Sequence, residues 1–156
     1  MEKIASFTVD HRFIKEGVYI SRIDGDITTY DLRMRKPNTQ DLIDPSAMHS
    51  MEHMFATVIR NSDIKESVIY FGPMGCQTGF YLLVRNAEHK RVVEEIKKAL
   101  GAIIDYDGEM PGASEIECGN YRSLSMDAAK REAERYLENI KAVTGDDLSY
   151  DKGEEV

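Results

Sequence analysis

Apolar and polar positions follow two distinct periods along the chain. From Thr29 to Arg35, Tyr30, Leu32 and Met34 alternate with Thr29, Asp31, Arg33 and Arg35. A period of two predicts a strand with one apolar face and one mostly charged face. Val18 to Ile23 is short and rich in β-formers, and Asp24-Gly25 is a strong hairpin signal joining it to the strand Ile27 to Arg35. Ser6 to Val9 reads as a further short strand. From Pro45 to about Asn61 the period changes: Met48, Met51, Phe55, Val58 and Ile59 recur on one face of a helix. Asp44 is a good N-cap for it, and Pro45 suits a first turn, where a missing N–H costs nothing.

Ser67 to Phe71 and Gly79 to Val84 are apolar runs expected as buried strands, flanking the shaped connection Gly72-Pro73-Met74-Gly75-Cys76-Gln77-Thr78. Asn86 is expected to cap an amphipathic helix through Leu100, with Val92, Val93, Ile96 and Leu100 inward and Gly101 as its stop. Ile103, Ile104 and the turn Asp107-Gly108 lead to a Pro111-Gly112 loop, and Glu115 to Tyr121 forms a short segment carrying Cys118. Ser125 caps a last helix from Met126 to about Val143, ended by Gly145. Residues 1–145 read as one catalytic domain and 146–156 as an acidic tail expected to fray. Hairpin-connected strands outnumber βαβ units, which predicts an α+β fold: an antiparallel sheet packed against helices in a two-layer sandwich.

With 156 residues the chain can bury a substantial core. Its net charge of −8, with no basic run, argues against nucleic acid and anionic membranes as partners. No stretch is apolar enough to span a bilayer, and Met1 to Ser6 lacks the design of a secretory signal, so a cytoplasmic location is expected. There Cys76 and Cys118 are expected as thiols, available as a metal ligand or a reactive group.

The chemistry centres on His49-Ser50-Met51-Glu52-His53, an H-x-x-E-H pattern. On the expected helix His49 and His53 lie one turn apart on the same face, with Glu52 beside them. Two imidazoles can hold a divalent metal, and an adjacent carboxylate outside the ligand set can move protons. A catalytic site needs a third protein ligand. His11, His89, Cys76, Cys118 and several carboxylates are available, and spacing does not choose among them. His89, in the first turn of a helix, reads as a surface residue. An H-x-x-E-H zinc metallopeptidase shares the pentapeptide. A non-catalytic metal-binding domain is the other alternative, with His49, His53, Cys76 and Cys118 closing the site.

The wider pattern is more specific than the pentapeptide. Ser6-Phe7 with Asp10-His11, Asp31-Leu32-Arg33, Pro37-Asn38, the H-x-x-E-H helix continuing to Arg60, Pro73-Met74-Gly75-Cys76 with Thr78-Gly79-Phe80-Tyr81, and Cys118-Gly119 occur in this order. From Ser6 to about Asn139 the chain resembles the S-ribosylhomocysteine lyase (LuxS) family, which makes the precursor of autoinducer-2. The resemblance implies a LuxS/metallohydrolase-like fold and a metal held by His49, His53 and Cys118, ferrous iron with zinc as a substitute. It implies Glu52 and Cys76 as the acid–base pair, and Ser6, His11, Arg33 and Arg60 around the substrate. It also implies a homodimer with two sites at the subunit interface. One departure is visible: this chain reads Tyr70-Phe71-Gly72 where the family pattern carries an aspartate ahead of the Pro-Met-Gly-Cys block.

Overall fold

The computed structural model describes residues 1–152. Strands β1 (Gly17–Asp24), β2 (Ile27–Arg33), β3 (Val68–Pro73) and β4 (Gly79–Arg85) form one antiparallel sheet in the order β1-β2-β4-β3. Helices α1 (Pro45–Ile59), α2 (His89–Asp105) and α3 (Met126–Ile140) pack on one another, with α1 against β3 and α3 against β1. The expected α+β sandwich is the observed architecture. Its core lies between the layers, where Tyr30, Leu32, Phe80 and Leu82 of the sheet meet Met51, Met54 and Phe55 of α1. Phe71 fills the centre, its ring 4.5 Å from Phe55 and stacked 4.9 Å from Phe80.

The ends of α1 and α3 follow their capping signals. Asp44 accepts from the Ala47 N–H at 3.0 Å, and Ser125 accepts from that of Ala128 at 3.3 Å. Other elements depart from expectation for physical reasons. Ser6 to Val9 is not a strand: residues Ala5–Phe7 form a 3-10 turn, and Thr8 donates its hydroxyl to the Ala5 carbonyl at 2.6 Å. A side chain that bonds its own backbone this way competes with sheet pairing. Asn86 does not cap α2; it adopts φ 50° after β4, its N–H bonded to the Asp26 carbonyl, and Glu88 precedes the helix without a side-chain cap. Nor does Gly101 stop α2, which continues to Asp105. Glycine inside a helix costs about 1 kcal/mol, whereas burying Ile103 alone contributes roughly 1.5–3 kcal/mol.

Polar groups hold the remaining surprises. Asp31, Arg33 and Arg35, which make the charged face of the alternating stretch, are at most 4 % exposed. Asp31 and Arg33 satisfy each other in a bidentate pair, and Arg35 reaches Glu132 of α3 at 2.7 Å. His89 is half-buried, with Nδ1 2.5 Å from the hydroxyl of the fully buried Tyr30. A buried phenol needs such a partner. Beyond α3 the chain is tied down as far as Tyr150. Leu148 is buried, its carbonyl accepts from the Ile20 N–H, and the Tyr150 ring stacks on Tyr19 at 4.9 Å. The expected fraying of 153–156 lies outside the described residues.

Candidate metal centre

Helix α1 presents His49 and His53 from consecutive turns, their rings 4.6 Å apart and perpendicular. The loop before α3 brings Cys118 to them, so that one ligand atom from each of the three lies within 4.8 Å of the others. Cys118 Sγ is 3.3 Å from His49 Nε2. Three donors about 2.0–2.3 Å from a tetrahedral ion stand roughly 3.3–3.8 Å from one another, so two imidazoles and a thiolate fit such an ion with modest closure. Among the described residues no other His, Cys, Asp or Glu joins this cluster, Cys76 included.

Hydrogen bonds behind the rings prepare the site. His53 Nδ1 lies 2.8 Å from the Pro111 carbonyl, which can only accept, so Nδ1 carries the proton and Nε2 keeps its lone pair. His49 Nδ1 lies 2.6 Å from Ser123 Oγ, whose own proton goes to the Asn120 carbonyl at 3.1 Å. The same logic makes His49 Nε2 the free lone pair. Burial, and then the neighbouring His53, lower the pKa of His49 below its ordinary value and favour the neutral imidazole that a metal requires. Gly112, at φ 69°, lets the loop pass close to His53: a Cβ there would meet Nδ1 at 3.0 Å.

Serines dock the Cys118 loop onto α1. Ser46 donates to the Ser123 carbonyl at 2.5 Å, and Ser50 accepts from the Ser125 N–H at 2.7 Å. The Asn120 N–H points at Cys118 Sγ from 3.4 Å. None of Ser46, Ser50, Ser123 and Pro111 stands out in the sequence. The available signal was the spacing of Ser46 and Ser50, one helical turn apart beside the two histidines.

A cleft of about 380 Å³ adjoins the centre, lined by Pro45, Met48, His49, Glu52, Pro73, Met74, Gly75 and Gln77. The Glu52 carboxylate takes no hydrogen bond among the described residues. Cys76 is exposed at the tip of the β3–β4 hairpin, next to this cleft in the chain. Gln77 holds the tip beside the start of α1: its Nε2 donates to the Ile43 carbonyl, and its own carbonyl accepts from the Ile43 N–H, both at 3.0 Å.

The other residues singled out from the sequence lie apart from the cleft walls. Arg33 is 3 % exposed and reaches the Cys76 neighbourhood only through Thr78, to which it donates at 2.8 Å. Arg60 ends α1 and donates to the Ile69 carbonyl at 2.9 Å. Ser6 sits in the first 3-10 turn, and His11 opens the second, with Nδ1 2.9 Å from the Val9 carbonyl.

Comparison with known proteins agrees with this arrangement. The profile of the S-Ribosylhomocysteinase (LuxS) family matches residues 4–146. The chain belongs to the S-ribosylhomocysteinase (LuxS) family. An S-ribosylhomocysteine lyase of Borreliella afzelii is 40% identical over 156 residues, covering 96% of this chain and 99% of that protein. One from Desulfotalea psychrophila is 43% identical with the same coverage, and one from Clostridium beijerinckii is 42% identical over 90% of this chain and 92% of its own length. No helix of the described residues is long and apolar enough to cross a membrane.

Proposed function

We propose that this protein is a metal-dependent S-ribosylhomocysteine lyase, cleaving S-ribosyl-L-homocysteine to L-homocysteine and 4,5-dihydroxy-2,3-pentanedione, the precursor of autoinducer-2. The observation that carries this reading is the three-ligand cluster with Glu52 and the hairpin of Cys76 beside it, in a family member matched from residue 4 to 146. His49, His53 and Cys118 would hold one divalent ion per subunit, ferrous iron with zinc able to substitute, since imidazole and thiolate suit both. Such an ion supplies Lewis-acid polarisation of the sugar's carbonyl and hydroxyl oxygens.

The remaining work falls to Cys76 and Glu52. The carbon–sulfur bond is remote from the aldehyde, so the carbonyl must first move along the sugar. Each move takes a proton from one carbon and returns one to its neighbour, work for an acid–base pair. With the carbonyl on the third carbon, a base removes the proton beside it and the electron pair forms a double bond. The carbon–sulfur bond then breaks, its pair leaving on the homocysteine sulfur, which is protonated to the thiol. Glu52, unpaired on the cleft wall, and Cys76, exposed on its hairpin, are suited to these transfers. Ser6, His11, Arg33 and Arg60 are assigned to the substrate pocket.

Ser6 and His11 are not among the residues lining the cleft of their own chain, which favours a homodimer in which they reach the partner's site. The sheet face away from the helices also supports it: Tyr70 is exposed there, and Tyr81 and Leu83 are partly so. We place the enzyme in the cytoplasm, where its thiols stay reduced. The peptidase alternative is not favoured, because a sulfur rather than a carboxylate completes the ligand set. The closed structural site lacks its fourth ligand, Cys76 standing outside the cluster. The test is to incubate metal-replete protein with S-ribosylhomocysteine while free thiol is monitored. Thiol release that Cys76→Ala abolishes at unchanged metal content is expected; no release from the wild-type protein would sink the reading.

A further inference from the structure

Behind Cys76 runs an unbroken series of hydrogen bonds that ends in the segment after α3. Cys76 Sγ lies 3.0 Å from Thr78 Oγ1. Thr78 Oγ1 also accepts from Arg33 Nη1 at 2.8 Å. With its oxygen held as an acceptor by the guanidinium, the single hydroxyl proton is free to point at sulfur. Arg33 is itself held by Asp31, Nε to Oδ1 at 3.0 Å and Nη2 to Oδ2 at 2.6 Å. Asp31 Oδ2 takes one more bond, from the Tyr150 hydroxyl at 2.7 Å. Thr78, Arg33 and Asp31 are each at most 3 % exposed, so the middle of the series is shielded from water between the exposed Cys76 and the half-buried Tyr150. Burial, and then the Asp31 carboxylate, keep the Tyr150 phenol protonated and hence a donor.

The geometry points to Thr78 and Tyr150 as positioning residues for Cys76. Thr78 donates to its sulfur, and Tyr150 closes the Asp31–Arg33 pair that orients Thr78. The segment beyond α3 is thereby part of the machinery of the acid–base cysteine, fastened by the buried Leu148 and the Tyr19–Tyr150 stack. This inference rests on the reading of Cys76 as a proton carrier. A hydrogen bond donated to sulfur favours the thiolate, the form that carries the proton away. The other ionisable groups near the sulfur are Arg33 and Tyr81, with Glu52 and His49 on the adjoining cleft wall. The variants below leave all four in place.

The experiment is alkylation of the metal-loaded protein with iodoacetamide at fixed neutral pH, the rate at Cys76 read by peptide mass spectrometry. A hydrogen bond donated to an attacking thiolate is worth about tenfold, of which the lower nucleophilicity of the better-stabilised sulfur cancels about a factor of three. Thr78→Val should therefore slow Cys76 by about threefold. Thr78→Ser, which keeps the hydroxyl, should react like wild type. A side chain that only fills space would give the opposite order, since valine matches threonine in shape. Tyr150→Phe keeps the stack and deletes one hydroxyl; it should slow Cys76 and lower kcat with KM unmoved. Wild-type alkylation in both Thr78→Val and Tyr150→Phe overturns the inference. Because the alkylation rate does not depend on turnover, it separates the two ideas: a Cys76→Ala variant that still turns over defeats the lyase role of Cys76 and leaves the hydrogen-bond series standing.

Discussion

Replacing Ser123 by alanine tests whether the ligand set is prepared by its surroundings. The Ser123 hydroxyl holds the His49 Nδ1–H at 2.6 Å and passes its own proton to the Asn120 carbonyl. Alanine removes that acceptor and the bond within the loop to the Asn120 carbonyl but leaves the contacts that dock the loop on α1, because Ser46 bonds the backbone carbonyl of Ser123 and Ser50 bonds the N–H of Ser125. The imidazole then loses both its fixed tautomer and its fixed rotation, and the tautomer with a proton on Nε2 cannot bind metal. Outer hydrogen bonds of this kind are worth about 10–100-fold in metal affinity, or roughly 1.4–2.8 kcal/mol. With the loop still docked, the lower half of that range is expected. Competition for zinc against a chromophoric chelator at fixed pH gives the affinity, and far-UV circular dichroism of the metal-free protein verifies the fold. Ser123→Thr, which keeps the acceptor, should recover most of the loss. A zinc affinity within twofold of wild type in Ser123→Ala would show that the packed helix alone orients His49.

Three further outcomes follow from the same geometry. Asp31→Asn leaves the Arg33 guanidinium, 3 % exposed, without its counter-charge; removing one partner of a buried pair costs about 3–5 kcal/mol, and a loss of stability in urea titration smaller than about a third of this would mean that water enters the site. The lowered pKa of His49 carries a definite sign. Its neutral form is favoured in the folded chain, so the unfolded chain binds more protons just below pH 6.5 and its contribution to stability is lost as pH falls through the depressed folded value. Metal-free wild-type protein should accordingly gain stability with rising pH across that window, and His49→Gln should flatten the slope in denaturant titrations. Finally, if Ser6 serves the partner's cleft, Ser6→Ala and Cys76→Ala homodimers should each be inactive, yet mixing them should restore a fraction of the thiol release; a mixture as inactive as its parents places both residues in one subunit's site.

How much of this was legible in the sequence depends on the range of the forces involved. Helix α1 was readable almost to the residue because Asp44, Pro45 and the apolar stripe are local signals, and two of the three clustered ligands obey the helix period. Cys118 stands 69 positions from His49 and approaches it through serine hydrogen bonds that leave no periodic trace. The residues alone left it one candidate among several, and only the family resemblance chose it. The alternation from Thr29 to Arg35 correctly set Tyr30, Leu32 and Met34 on the apolar face, but charge was a poor guide to exposure. Asp31 and Arg33 neutralise each other two residues apart on one strand and are roofed by Tyr150, a contact 119 positions distant that composition cannot foresee. The same holds for the stretch after α3, where a few separated anchors, Val143, Leu148 and Tyr150, stand among polar residues. Glycine at 101 misled for the converse reason: a local cost of about 1 kcal/mol is outweighed by burial that appears only when the layers meet.

The site divides its labour between parts of unequal freedom, and that division fits the proposed chemistry. Metal ligands must hold their geometry to within a few tenths of an ångström. Two of the proposed ligands stand on α1, backed by Met48, Met51, Met54 and Phe55 in the core, and the third sits on a loop fastened to that helix through Ser46 and Ser50. A proton carrier that serves successive carbons of one bound sugar has a different requirement, because the reacting carbon changes while the ligands stay put. Cys76 stands at an exposed hairpin tip whose turn is closed by the Met74 N–H to the Gly79 carbonyl and the Gln77 N–H to the Met74 carbonyl, with the sulfur contact to Thr78 and the Gln77–Ile43 bonds tying the tip to the rest of the fold. Both restraints lead back to the frame: Ile43 directly precedes the Asp44 cap of α1, and Thr78 rests on the Arg33–Asp31 pair. On the proposed reading the two proton carriers approach the cleft from different elements, Cys76 from the hairpin tip and Glu52 from α1, each tied to the frame that holds His49 and His53.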